Sequence, residues 1–320
     1  MPELPSSLWN IPERFISITH QLGRSWRRDV IKMTPEQIRL SLDGLSRLYP
    51  GQFGITFEKV KLGDVPSARI HYSSGSPQKL QKAGRILMVH GGGFAFGSAR
   101  THRALATSLA KRTATDIFIP DYSLAPEHAF PVALEELIHC YDFLSREDGP
   151  IWLMGDSAGA NIAAALLNEI ISCNGKSPAG IILLSPWIDL RPTSKSNELD
   201  QSNWSPFERL DMLEYATHYL QGHSPNDPKV SPILSPLKHW PPVYLEASRS
   251  EYLWSDAEML SKKLQAENIP FEFRVEESAL HAWQLFPDIL PEAKRSIERI
   301  SAFIASHSSI PREAAQASKV

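Results

Sequence analysis

The chain has 320 residues, 42% of them hydrophobic, enough to bury a large core and to form one α/β domain with an elaboration. A formal charge of −3 and a pI near 6.4 exclude the excess of basic residues through which nucleic acid is bound. No stretch offers the roughly 18 uninterrupted apolar residues of a spanning helix, so stable membrane insertion is not expected. The start, Met1-Pro2-Glu3-Leu4-Pro5, lacks the basic and then apolar segments of a signal peptide, and the mature protein is expected to be this chain. Cys140 and Cys173 have neither CxxC nor Cys/His spacing, which predicts reduced thiols in a cytoplasmic protein without metal or cofactor. A homodimer is left open.

Two helical patterns open the sequence. Ile11, Phe15, Ile18, Leu22, Trp26 and Val30 recur at helical spacing, and a second helix from Pro35 carries Ile38, Leu42, Leu45 and Leu48. Thr34, Pro35 and Gln37 form its start signal, a cap, a residue that needs no donor and the far end of a capping box. Strands are predicted at 55–60, 68–72, 85–89, 116–119, 151–154, 180–184, 242–247 and 271–275, about eight in all. The first two alternate polar and apolar, while the middle ones are apolar nearly throughout, as parallel strands covered on both faces are. Helices at 103–112, 132–145, 158–172, 255–267 and 292–306 separate most of the later strands, giving a mostly parallel α/β sheet. Between 189 and 237 a polar loop, a helix started by Ser205, Pro206 and Glu208 and ended by Gly222, and a proline-rich return read as an insertion above the sheet. The expected organisation is a helical segment at 1–50, a core at 51–188 and 238–310, the insertion at 189–237, and a frayed tail from 311 to 320.

Chemistry concentrates at Gly155-Asp156-Ser157-Ala158-Gly159, between an apolar strand and an alanine-rich helix. Strand, sharp turn and helix around G-x-S-x-G make a nucleophile elbow, with glycines where Cβ atoms would crowd the turn and Ser157 as the nucleophile. A tetrahedral intermediate needs preorganised N–H donors, and His90-Gly91-Gly92-Gly93, directly after the strand 85–89, supplies Gly91 and Gly92, with Gly93 a further donor. The amide of Ala158, next after the nucleophile, completes the set, and His90 is expected to hold the loop by hydrogen bonds. A serine needs a histidine base oriented by a carboxylate, and in this fold the chain order is nucleophile, acid, base. His281 is the histidine between the last strand and the final helix. For the acid, Glu251 and Asp256 compete. Ser255-Asp256-Ala257-Glu258 reads as a capping box, which gives Asp256 a structural task, whereas Glu251 lies closer to the carboxyl end of its strand.

With these residues assembled, the chain resembles the hormone-sensitive-lipase family of α/β-hydrolases from about His71 to Phe286. The resemblance rests on His90-Gly91-Gly92-Gly93-Phe94 with Gly97, on Asp121-Tyr122-Ser123-Leu124-Ala125-Pro126-Glu127-His128, and on Gly155-Asp156-Ser157-Ala158-Gly159-Ala160-Asn161. It continues through Ser185-Pro186-Trp187, Ser231-Pro232 and His281. It implies an α/β-hydrolase fold and a carboxylesterase with a serine, acid and histidine triad. The family's D-x-L acid position falls on Glu251-Tyr252-Leu253, with glutamate for the usual aspartate, and Ala160 replaces a second glycine after the elbow. Glu127 and His128 look like buried structural groups.

The resemblance also implies that the N-terminal helices and the insertion form a lid. Phe15, Trp26, Trp204, Phe207, Met212 and Leu213 would give it an apolar ceiling, and Phe94, Trp204, Phe207 and Met212 are the expected substrate contacts. The other reading of the first helix, with Arg14, Arg24, Arg27, Arg28 and Lys32 opposite its apolar stripe, is contact with an anionic membrane surface. The expected substrate is a small-molecule ester of short to medium acyl chain. A lactonase or amidase would use the same triad. A ligand-binding receptor of this fold, as plant gibberellin receptors are, would lack the complete set that Ser157, Glu251 and His281 make.

Overall fold

In the computed structural model, which describes residues 33–47, 53–72, 84–192 and 209–308, the predicted apolar runs lie side by side in one eight-stranded sheet. The chain runs α1 (Pro35–Ser46), β1 (Ile55–Leu62), β2 (Val65–Tyr72), β3 (Arg85–Val89), α2 (Arg103–Thr113), β4 (Asp116–Pro120) and α3 (Val132–Ser145). It continues with β5 (Ile151–Asp156), α4 (Ser157–Ser172), β6 (Gly180–Leu184), α5 (Arg209–Leu220), β7 (Val243–Ser248), α6 (Trp254–Ala266), β8 (Phe271–Glu276) and α7 (Pro291–Ser308). Strand order is β1-β2-β4-β3-β5-β6-β7-β8. β1 and β2 form an antiparallel hairpin, β2 lies antiparallel to β4, and the other six strands are parallel. The start of β2 escaped the pattern reading because Pro66 interrupts it. That proline precedes the stretch Ser67–Ile70 that pairs with β4.

Alternate residues of each parallel strand enter two cores. Leu87, Val89, Leu153, Ile181, Leu183, Val243 and Leu245 pack against α3, α4 and α6 on one face. Ile86, Met88, Trp152, Met154, Ile182, Leu184 and Tyr244 pack against α2 and α7 on the other. Each such fully buried side chain contributes about 1.5–3 kcal/mol relative to exposure. The double cover explains why these strands read as continuous apolar runs. α4 presents Ala160, Ala163 and Ala164 to the first core, where small side chains let the helix lie close to β5.

Two local expectations resolve differently. The Thr34 box forms as read: the Thr34 hydroxyl accepts from the Gln37 amide at 3.3 Å and Gln37 Oε1 from the Thr34 amide at 3.0 Å. The Ser255 box does not. α6 starts at Trp254 with Leu253 at the cap, because the buried Leu253 and Ala257 draw that turn into the core and the Asp256 amide already donates to the Leu253 carbonyl. Of the insertion, α5 is described, ending before Gln221 and Gly222 at φ 41° and 94°. Its expected start at Ser205, Pro206 and Glu208 lies outside the described residues, as do the first predicted helix and the tail. Among the described residues no helix is long and apolar enough to cross a membrane.

Candidate active site

The carboxyl ends of β3, β5, β7 and the loop after β8 converge, where open α/β sheets collect their functional groups. At the end of β5, Ser157 opens α4 with φ 51°, a left-handed conformation costly for a residue with a Cβ. Its flanking glycines are required by approach. A Cβ on Gly155 would stand 2.5 Å from the Gly159 carbonyl oxygen, and one on Gly159 would collide with the Val89 and His90 carbonyls of the neighbouring strand end. The Ser157 carbonyl accepts from the Trp187 amide at 3.1 Å, which ties the elbow to the loop after β6.

His281 Nε2 lies 2.9 Å from Ser157 Oγ, and its Nδ1 lies 2.6 Å from Glu251 Oε2. Glu251 is 1% exposed, and its other oxygen accepts from the Ser248 amide at 2.8 Å. The His281 loop is held from both sides: Ala279 donates to Ser248 Oγ at 3.0 Å and Ala282 to Ser185 Oγ at 3.3 Å. Ser250 Oγ adds a bond to the Ala279 carbonyl. Asp256 faces elsewhere. Its Oδ2 accepts from the Ile188 and Asp189 amides at 2.9 and 3.1 Å, so its structural task is to hold the loop after β6. A hydroxyl, an imidazole and a buried carboxylate in line allow the imidazole to accept the hydroxyl proton while the carboxylate stabilises the resulting cation.

In the loop after β3, the structure corrects one expectation. The Gly91 amide points to Asp156 Oδ1 at 3.0 Å, a buried carboxylate that occupies it as a donor. A Cβ on Gly91 would strike that carboxylate, so this glycine serves the close approach of loop and elbow. The Gly92, Gly93 and Ala158 amides have no hydrogen bond to a protein acceptor among the described residues. Gly92 is held at φ 121°, and its carbonyl accepts from the Ala95 and Phe96 amides. His90 does hold the loop: its Nδ1 lies 2.9 Å from the Gly91 carbonyl, and its own carbonyl accepts from the Tyr122 hydroxyl at 2.7 Å. Burial, with His102 beside it, pushes the His90 imidazole down to about 3, so the ring stays neutral.

The sequence reading did not single out His102 or Arg39. His102 Nε2 lies 2.9 Å from Asp156 Oδ1. Burial alone would raise the Asp156 carboxyl, but His102 and the Gly91 amide hold it below its ordinary value. Arg39 of α1 donates to the Ala95 and Ala125 carbonyls, each at 2.7 Å, and grips both oxygens of Glu127. Glu127 and His128 are thus exposed and not buried, Glu127 being drawn outward to Arg39. Phe94 is 1% exposed and stacks on Tyr219 with centroids 4.0 Å apart, so its ring joins the loop to α5 in place of the expected substrate contact. Met212 is buried in the same core, Leu213 follows it on α5, and Trp204 and Phe207 lie outside the described residues.

A family model described as the α/β-hydrolase fold matches residues 86–285. An esterase of Acinetobacter venetianus is 31% identical over 280 residues, covering 86% of this chain and 90% of its own. An acetyl-hydrolase of Streptomyces hygroscopicus is 30% identical over 246 residues, 76% of this chain and 82% of its own. Among solved structures, a hormone-sensitive lipase from a metagenome library superimposes with a TM-score of 0.84 at 27% identity, over 92% of this chain and 98% of that one. An esterase from the bacterial hormone-sensitive lipase family does so with a TM-score of 0.81 at 28% identity, over 91% and 98%. Agreement in sequence along most of the chain, and in the sheet that carries the elbow, means that this chain belongs to the hormone-sensitive-lipase family of α/β-hydrolases and is a carboxylic ester hydrolase.

Proposed function

We propose that the protein hydrolyses short- to medium-chain carboxylic esters of small molecules through Ser157, His281 and Glu251, by way of an acyl-enzyme. The observation that carries this reading is His281 standing between the other two, 2.9 Å from the Ser157 oxygen and 2.6 Å from a Glu251 carboxylate with no other cation in contact among the described residues. His281 takes the Ser157 proton as the oxygen attacks the ester carbonyl. The Gly92, Gly93 and Ala158 amides hold the negative oxygen of the tetrahedral intermediate, each such donor being worth about 10²–10³ in rate. His281 then gives the proton to the leaving alcohol, and the acyl group remains on Ser157. Water, deprotonated by the same imidazole, attacks the acyl carbonyl and releases the acid. Every step uses groups of the chain and one water.

The short-chain preference is supported by the acetyl-hydrolase among the relatives and by Tyr215 of α5, whose ring stands 3.0 Å from where a Cβ on Gly93 would lie. The N-terminal helices and the insertion act as a lid in this reading. p-Nitrophenyl esters from acetate to laurate test it, with the wild type and Ser157→Ala side by side. Turnover falling beyond butyrate or hexanoate, an acyl adduct on Ser157 and an inactive variant are the expected results. A Ser157→Ala protein as active as the wild type would remove the nucleophile assignment, a preference for laurate would remove the chain-length assignment, and faster turnover of lactones or amides would move the substrate class.

A further inference from the structure

Glu246 is a buried ionisable group that the proposed reaction does not use. It follows Tyr244 by two residues on β7, so its side chain lies on the same face of the sheet, toward α7, and it is 0% exposed. A carboxyl group placed there needs hydrogen-bond partners, and they come from two directions. From α7, the Ser296 hydroxyl donates to Oε2 and Arg299 Nη1 donates to Oε1 at 3.1 Å, the guanidinium also holding Glu276 of β8 at 2.9 Å. From the short turn Trp283–Leu285, the buried Gln284 donates its Nε2 to Oε2 at 3.2 Å, while its Oε1 has no partner among the described residues. Burial pushes the Glu246 carboxyl up, and these three donors oppose the shift.

Gln284 stands three residues after His281. Between them, the Ala282 amide donates to Ser185 Oγ at 3.3 Å, and the Ser185 amide donates to the Glu246 carbonyl at 2.7 Å. Side chain and main chain of Glu246 thus both lead to the segment that leaves His281. We propose that Glu246 is a positioning residue for the base: by its carboxyl group through Gln284, and by its carbonyl through Ser185, it fixes the segment after His281 and keeps the imidazole in line between Ser157 and Glu251. The assignment rests on the reading of those three residues as the triad. The need is geometric. Upstream, Ser248 and Ser250 hold Ala279, but Ala282 turns into the left-handed region at φ 52° immediately after His281, so the direction of the chain there is set by what holds the turn that follows. His281 has to meet one oxygen at 2.9 Å and another at 2.6 Å together, and a misplacement of about 1 Å costs about 10²-fold in rate. Docking of α7 does not require a carboxyl group. An apolar residue at 246 would pack against that helix as Ile182 and Leu184 do on the same face, but it would give Gln284 no acceptor.

The experiment compares Glu246→Leu, Glu246→Gln, Gln284→Met and the double variant Glu246→Leu with Gln284→Met on p-nitrophenyl acetate. Rates are taken per Ser157 titrated with diethyl p-nitrophenyl phosphate, which releases one p-nitrophenolate for each serine phosphorylated, and urea unfolding is measured beside them. Glu246→Leu and Gln284→Met each lower kcat by about 10–100-fold with KM within about twofold, the pattern of a displaced base and not of lost substrate binding. Glu246→Gln keeps an amide oxygen for Gln284 and regains most of that loss, although its NH2 faces Arg299 and lowers stability. The double variant loses no more than the worse single variant, because both substitutions cut one bond. Gln284→Met leaves the bonds between Glu246 and α7 in place and decides alone if Glu246→Leu does not fold. A Gln284→Met protein whose kcat per titrated serine stays within about twofold of the wild type overturns the proposal and leaves Glu246 a clamp for α7. Losses that multiply in the double variant overturn it too, as does a Glu246→Gln protein no faster than Glu246→Leu. An active Ser157→Ala protein would instead mark failure of the underlying nucleophile assignment.

Discussion

Glu251 and Asp256 are both buried carboxylates, five residues apart, and they face opposite ways. Glu251 Oε2 lies 2.6 Å from His281 Nδ1, while Asp256 Oδ2 accepts the amides of Ile188 and Asp189. The expected consequence is a clean separation of activity from stability. Glu251→Gln keeps the shape but leaves His281 without an anionic partner, and kcat falls by about 10³–10⁴. Asp256→Ala leaves two amides unsatisfied and costs about 1–3 kcal/mol each in stability, with kcat of the folded enzyme within about threefold. Steady-state kinetics and urea unfolding of the two variants check this. A larger kcat loss in the Asp256 variant would exchange the roles.

Gly159→Ala tests the elbow. The added methyl meets the carbonyls of Val89 and His90, backbone atoms at the end of a central strand that have no room to yield. Unfolding free energy should drop by about 3 kcal/mol or more, with activity falling as the strand end is displaced. Gly44→Ala is the control. Its Cβ meets nothing within 4 Å on α1, and helix propensity there predicts a gain of about 0.5–1 kcal/mol.

His90 makes stability depend on pH in a defined direction. Its folded value of about 3 lies below the 6.5 of an exposed imidazole, so below pH 6.5 the unfolded chain binds a proton that the native protein refuses. Stability is therefore intact above 6.5 and declines toward about 3, by up to about 1.4 kcal/mol per pH unit from this group. His90→Asn retains an N–H for the Gly91 carbonyl and does not titrate. Between pH 7 and 5 the wild type should lose about 2 kcal/mol more than the variant in urea unfolding. Parallel losses would show that the ring protonates in the folded state.

Arg39 fastens α1 to the loops at 95 and 125–127 with bonds of unequal worth. The Glu127 carboxylate is half exposed and contributes less than about 1 kcal/mol, whereas the two carbonyls receive charge-assisted bonds in partly buried surroundings. Arg39→Ala should cost about 2 kcal/mol or more, and Glu127→Ala clearly less. Thermal unfolding of both variants distinguishes these carbonyl anchors from a surface ion pair. Equal shifts would place the energy in the ion pair.

The eight strands, the elbow and the helix capped by Thr34 were legible in the sequence because each is a local pattern: an apolar run, a glycine-flanked turn, a capping box. What local pattern missed or misread are pairings between distant segments. Asp156 and His102 are 54 residues apart, Arg39 and Glu127 are 88, and each meets its partner only because the sheet order puts β3 beside β5 and packs α1 against the loops. The same cause redirected Gly91 from the oxyanion to a carboxylate. A glycine-rich loop announces amides free to donate, but which amides stay free depends on a buried acceptor arriving from another strand. Composition and spacing determined the fold and put a serine, an acid and a histidine in order. The tertiary structure decided which carboxylate meets the histidine, which amides are left without a protein acceptor and which acceptor the Gly91 amide meets, because buried polar groups bond to partners that only the packing brings within reach.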